Sequence, residues 1–178
     1  MKATLVVENI GELATPTGRQ ARRGAEMADI RILHDAAIAV DVETIVWAGP
    51  AAEMPALDGP APDRLDACGN AVVPGFVDPH THFVFGGYRD EEFFWRASGV
   101  PYMQIHERGG GIASSVAATR QAGTEELVAL GLRRLERMLE LGVTTVEGKS
   151  GYGLDVDTEL RQLEAMRTLA AMQPVDIV

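Results

Sequence analysis

The sequence predicts an α/β fold in two parts: a small N-terminal β domain over residues 1–68, then βα units of a parallel sheet over residues 69–178. Three observations predict it. Short β-type runs separated by turn-forming or polar residues fill the first 70 positions, and strand and helix patterns alternate after them. The helical stretches carry apolar residues at the spacing of one amphipathic face. With 46% hydrophobic and 24% charged residues, a chain of 178 can bury a real core, so disorder is not expected.

The first strands are expected at residues 3–8, 36–42 and 44–48. Gly49-Pro50 and a proline-rich stretch over residues 55–62 punctuate them, and the turn-like Asp66-Ala67-Cys68-Gly69-Asn70 marks the boundary. An apolar run over residues 72–82 then reads as the first strand of the second part. Residues 125–141 read as a helix: Thr124 is the N-cap, Glu125 and Glu126 suit its positive end, and Gly142 stops it. Its apolar stripe is Val128, Leu132, Leu135 and Leu139. A strand at residues 143–147 follows. Residues 158–172 repeat the helical pattern through Leu160, Leu163, Met166 and Leu169, Pro174 breaks it, and residues 175–178 begin another strand.

The strongest chemical signal is Val73-Pro74-Gly75-Phe76-Val77-Asp78-Pro79-His80-Thr81-His82. Side chains alternate across a strand, so His80 and His82 share a face, where two neutral imidazoles can hold one divalent metal. The bland reading is a histidine pair ending an ordinary strand. The Pro-Gly entry, the apolar run and the adjacent Asp78 favour the metal.

That decapeptide resembles the first-strand signature of the amidohydrolase superfamily, metal-dependent hydrolases built on a (β/α)8 TIM-like barrel. Four further blocks follow in the order of one member family, the imidazolonepropionases: Phe83-Val84-Phe85-Gly86-Gly87-Tyr88-Arg89, Gly109-Gly110-Gly111-Ile112, Gly142-Val143-Thr144-Thr145-Val146-Glu147 and Lys149-Ser150-Gly151-Tyr152-Gly153-Leu154-Asp155. Together they cover nearly all of residues 70–178. The resemblance implies that the N-terminal strands belong to a β-sandwich beside the barrel, completed by strands from the far C-terminus. A full barrel takes about 250 residues. Only about 100 follow the boundary here, enough for two βα units and a third strand, so the expectation is a truncated chain or one completed by a second polypeptide.

The implied reaction is metal-dependent hydrolysis of 4-imidazolone-5-propanoate to N-formimidoyl-L-glutamate in histidine degradation, with one zinc or iron ion. Metal-assisted hydrolysis needs more than two histidines. The resemblance puts a third histidine, an aspartate and the general acid/base groups beyond Val178, so no catalytic residue is expected within the chain and the isolated segment is expected to be inactive.

Arg89, shortly after the metal strand, can grip a carboxylate through its guanidinium fork, or can pair on the surface with Asp90, Glu91 or Glu92. The resemblance assigns it the substrate's propionate. Tyr152 lies just past a strand's C-terminal end, the face where barrel enzymes place their chemistry, and either hydrogen-bonds substrate or packs over the rim. Tyr102 can reach substrate from the long first loop, or can serve the core face of a short helix with Met103 and Ile105. The triple glycine at 109–111 reads as a mobile loop. Glu147 and Lys149 read as electrostatic support, since the resemblance implies a mononuclear site.

Other classes are disfavoured. A formal net charge of -10 opposes non-specific binding to nucleic acid or anionic membranes, and the basic cluster Arg19, Arg22 and Arg23 is followed at once by Glu26 and Asp29. Gly142 and Gly148 are separated by five residues where a P-loop requires four. One cysteine, Cys68, and no long apolar run predict a cytoplasmic protein that does not enter a membrane. His34 and His106 are expected to be non-catalytic. Two rivals remain: another cyclic-amide hydrolase or deaminase of the superfamily, and a non-catalytic subunit that docks on a complementary chain. A homodimer is also open.

Overall fold

A computed structural model describes residues 1–16, 18 and 20–178. Arg19, counted above in the basic cluster, lies outside the described residues; Arg22 faces Asp29 at 3.7 Å. The chain divides into two compact units, Met1–Pro74 and Gly75–Val178.

The first unit is a five-stranded sheet of β1 (Leu5–Pro16), β2 (Ile30–Asp41), β3 (Thr44–Pro50), β4 (Asp63–Asp66) and β5 (Ala71–Val72), in the order β3-β2-β1-β4 with β5 also beside β1. β1 and β2 pair antiparallel from Leu5↔Val40 to Pro16↔Ile30, and the register shifts between Val7 and Ile10. Asn9 takes a left-handed backbone there (φ 54°). Ile10, Leu13, Leu33, Ala36 and Ile38 bury the inner face. β1 and β2 run further than the short apolar cores suggested, because backbone pairing continues through polar residues such as Glu12 and His34.

The second unit holds a parallel sheet, β6 (Phe76–Thr81), β7 (Val143–Gly148) and β8 (Asp176–Ile177), in that order. Four helices separate β6 from β7: α1 (Glu91–Ala97), α2 (Tyr102–Glu107), α3 (Ile112–Gln121) and α4 (Thr124–Glu140); α5 (Val156–Ala170) separates β7 from β8. Parallel strands with helical crossovers are what the alternating pattern requires. The core gathers Phe83, Val84, Leu127, Leu135, Val146, Met166 and Leu169.

Several expectations need correction. The anticipated boundary at residues 68 and 69 falls instead between Pro74 and Gly75, because Ala71–Val72 pairs with Glu12 and Leu13 of β1. The single strand expected over residues 72–82 is therefore two strands broken at Val73-Pro74-Gly75, where proline withholds a ladder donor. β6 lies at the edge of the three-stranded sheet, with Phe76 and Val77 exposed.

The helix faces are rotated too. Gly123, not Thr124, caps α4, and its buried face is Leu127, Leu130, Gly131 and Leu135, with Val128 and Leu132 partly buried and Leu139 exposed. Both 127/130/131 and 128/132/135 are helical rows, and only packing selects between them. In α5, Leu160 and Leu163 are 59% and 46% exposed while Thr158 and Gln162 are buried. Asp155 caps that helix by accepting from the Thr158 amide at 2.8 Å.

Candidate functional site

The C-terminal ends of β6 and β7 bring the chemically able side chains together. Thr81 pairs with Gly148, and the Lys149 amide donates to the Thr81 carbonyl at 2.8 Å, so the segment after β7 is laid across the histidine pair. His80 lies in β6, its amide donating to Asp78 Oδ1 at 3.1 Å; His82 lies just past the strand's end. Their ring centroids are 5.6 Å apart. The Tyr152 ring meets His82 edge to face at 5.2 Å, and Phe85 lies 5.6 Å from Tyr152 on a tilted plane.

Gly151 makes this approach possible. A β-carbon there would stand 2.7 Å from His82 Cε1 and 3.1 Å from His82 Nδ1, so no larger residue fits without moving the imidazole.

His80 and His82 suit a divalent ion. Their rings are near enough to share one cation, and His82 Nδ1 is buried with no hydrogen-bond partner, an atom whose desolvation is uncompensated within the described chain. Among the described residues no group of three His, Cys, Asp or Glu side chains converges, and two imidazoles are half of the donors that a tetrahedral site takes.

Two helices hold the Tyr152 segment. Glu159 on α5 accepts from the Gly153 and Leu154 amides, each at 2.8 Å. Arg120 on α3 donates to the Gly153 carbonyl at 2.7 Å and pairs with Asp155 at 3.0 Å. Burial pushes the Glu159 carboxyl up, but hydrogen bonds from Ser150, Leu154 and Gly153 outweigh it and hold the group below its ordinary value. The Thr158 backbone bond likewise lowers Asp155.

Arg89 and Tyr102 stand apart from the ring cluster in their contacts. Arg89 pairs with Glu92 at 3.7 Å and lines a polar pocket of about 300 Å³ with Tyr88, Trp95, Arg108 and Gly110. Glu92 is buried, faces Arg96 also at 3.7 Å and accepts from the Gly111 amide. Gly110 and Gly111 are buried, the first donating its amide to the Ile105 carbonyl at 3.0 Å and the second to Glu92, so two of the three glycines are tied down in the structure. Ile105 fills the core from α2, but Tyr102 is 61% exposed with the Arg96 guanidinium 6.0 Å above its ring; its core-facing alternative is not realised because only one face of that short helix is covered.

The remaining candidates are peripheral. Lys149 and Glu147 pair with one another. Cys68 is exposed in a turn, its amide donating to Asp66 Oδ1 at 2.7 Å, and that bond holds the Asp66 carboxyl below its ordinary value. His34 is exposed 3.8 Å from Glu12, and His106 lies in α2. Glu159 was missed by sequence reading, Glu92 entered it only as a surface partner of Arg89, and Gly151 only as part of a motif. Only the Asp155-Val156-Asp157-Thr158-Glu159 helix start carried a local signal for one of them.

Comparison with known proteins gives the fold first. It is similar to that of the solved Escherichia coli guanine deaminase, with a TM-score of 0.61 at 16% identity over 97% of this chain and 35% of that one. It also matches atrazine chlorohydrolase from Arthrobacter aurescens complexed with zinc, with a TM-score of 0.55 at 16% identity over 97% of this chain and 34% of that one. No protein-family model matches the chain. In sequence the chain is similar to curated imidazolonepropionases: it is 48% identical to that of Parabacteroides distasonis over 98% of this chain, and 46% identical to that of Bacillus velezensis over 97%. The chain spans 42% and 41% of the length of those two relatives. No helix among the described residues is long and apolar enough to cross a membrane.

Proposed function

We propose that this chain carries the first metal ligands and the substrate-anchoring groups of an imidazolonepropionase, which opens the cyclic amide of 4-imidazolone-5-propanoate to give N-formimidoyl-L-glutamate. The observation that carries the reading is the meeting of His80, His82 and Tyr152 at the C-terminal ends of two parallel strands, where α/β enzymes place their chemistry. In this reading β6, β7 and β8 are the first staves of a (β/α)8 barrel, and the five-stranded sheet is the N-terminal share of a β-sandwich. The remaining staves, with the third histidine, the aspartate and the general acid/base groups, come from further polypeptide, either in the same reading frame or in a complementary chain.

His80 and His82 hold one zinc or iron ion through neutral imidazole nitrogens. When bound, such an ion supplies Lewis acidity and water acidified to a pKa of about 7. Hydrolysis adds one water across the ring's C–N bond: oxygen joins the carbonyl carbon, that bond to nitrogen breaks, and the nitrogen takes a proton. Arg89, released from Glu92, grips the propionate, and Tyr152 directs its hydroxyl to the ring or the opened product. Tyr102 approaches from the α1–α2 side as a third substrate contact. A protein of net charge -10 handling an anionic substrate needs such a local cation.

The test is turnover by the protein expressed from its full reading frame, assayed with imidazolonepropionate against hydantoin, dihydroorotate and cytosine. Faster reaction with any competitor replaces the substrate assignment. Native mass with metal analysis tests the assembly: a homodimer holding one ion per chain fits this reading, and a metal-free hetero-complex favours the docking-subunit alternative.

A further inference from the structure

Residues 83–86, directly after His82, form no strand or helix, yet Phe83, Val84 and Gly86 are buried. Buried irregular backbone must find partners for its polar groups. Here they come from side chains on three helices. Arg134 of α4 donates through Nη1 to the carbonyls of Phe83 and Phe85, both at 2.9 Å; Gln162 of α5 donates to the Val84 carbonyl at 2.7 Å. Thr119 of α3 accepts from the Gly86 amide at 3.1 Å while its hydroxyl donates to the Ser115 carbonyl at 2.7 Å.

Arg134 also grips the segment's rings. Its guanidinium lies 3.6 Å over Phe85 and 4.8 Å over Tyr88, and Nε donates to the Tyr88 hydroxyl at 3.2 Å. Phe85 in turn lies against Tyr152, which packs on His82. A continuous set of contacts thus runs from α4 to the histidine.

This arrangement carries a cost of its own. Arg134 Nη2 and Gln162 Oε1 are buried without partners, and burial lowers the Arg134 pKa from its ordinary value. A methionine and a leucine of similar volume would remove those two atoms but leave the Phe83, Val84 and Phe85 carbonyls without their donors. What they would lose is directional hold on three consecutive carbonyls.

Resting on the imidazolonepropionase reading for its kinetic arm, we propose that Arg134, Gln162 and Thr119 are positioning residues that fix residues 83–86 and, through Phe85 and Tyr152, the pose of His82. None of the three touches the site itself. They set its geometry from behind.

The experiment compares wild type with Arg134→Met, Gln162→Leu and the near-isosteric Thr119→Val in the protein expressed from its full reading frame. Hydrogen exchange should quicken about tenfold or more at residues 83–88 and 150–154 while the centres of α4 and α5 keep wild-type rates. The kcat for imidazolonepropionate should fall about tenfold or more with KM changed less than about twofold, and Arg134→Lys should recover only part of it. Unchanged exchange at 83–88, a uniform rise across the unit, or a loss confined to KM each overturns the proposal. If Arg134→Met does not fold, Thr119→Val decides by the same criteria. Wild type that fails to open imidazolonepropionate removes the function reading, and the exchange pattern still judges the clamp.

Discussion

The Tyr152 ring stands edge-on to the His82 imidazole with centroids 5.2 Å apart, and Gly151 leaves the gap that lets it do so. The ring and the hydroxyl have separable duties. Tyr152→Phe keeps the contact and loses only a hydrogen bond, for which about 1 kcal/mol, or about a fivefold fall in kcat/KM, is expected. Gly151→Ala leaves the hydroxyl but pushes the imidazole, so its kcat/KM should fall further. Steady-state kinetics distinguish these, and equal values for Phe and Tyr would remove the hydroxyl from the reaction.

Metal content tests the histidine pair directly. Deleting one neutral ligand from a site that needs three or four weakens binding by far more than the 10- to 100-fold typical of an outer-shell partner, by the order-of-magnitude scale for metal sites. His80→Ala and His82→Ala should each leave the purified protein with well under half the wild-type metal by elemental analysis. Full metal retention in both would end the assignment.

Arg89 should act on binding. A charge-assisted contact to a carboxylate contributes about 1.5–3 kcal/mol, so Arg89→Ala should raise KM about 10- to 100-fold with a smaller change in kcat. Because Glu92 competes for the same guanidinium in the structure, Glu92→Gln should not mimic that rise. An unchanged KM in Arg89→Ala rejects the anchoring role.

Acid should loosen the Tyr152 segment before it unfolds the unit. Glu159 has its carboxyl held below the ordinary value of 4.5, so its stabilising contribution is complete above that pH and fades as pH falls through the lower folded value. Asp155, ordinarily 3.8, follows with the same sign. Ring resonances of Tyr152 followed by NMR should broaden or shift on acidification below about 4.5 in wild type. In Glu159→Gln the transition at that pH should be absent.

Gly86 permits α3 to lie against the segment after β6. An added β-carbon would stand 2.5 Å from the Ala118 carbonyl oxygen and 3.0 Å from Thr119 Cα, and backbone cannot yield as a side-chain tip does. Gly86→Ala should therefore cost about 1–3 kcal/mol, the usual range for overpacking. Denaturant titration will show a lowered midpoint at constant slope, and an unaltered midpoint would mean that α3 can shift freely.

What could be read directly was local. Alternating strand and helix patterns determined the parallel sheet, and the paired histidines were visible because a two-residue spacing on extended backbone has a single geometric consequence. Proline and glycine also punctuated correctly, although Val73-Pro74-Gly75 was read as the entry to a strand and is the break between two. The stripe of α4 was misplaced because Leu127, Val128, Leu130, Leu132 and Leu135 offer two overlapping helical faces. Arg134 sits beside Arg133 and close to Arg137 on that helix, and nothing in its neighbours distinguishes the arginine that turns inward.

The amino-acid order alone thus determined the element types, the histidine pair and the family resemblance, since each depends on residues close in the chain or on short ordered blocks. Only the tertiary structure decided that Tyr152 meets His82, that Glu92 pins Gly111, and that Arg134, Gln162 and Thr119 hold the backbone between them. Those contacts join positions 19 to 78 residues apart. Their partners are selected by how helices pack on a sheet, a long-range outcome that no local spacing encodes.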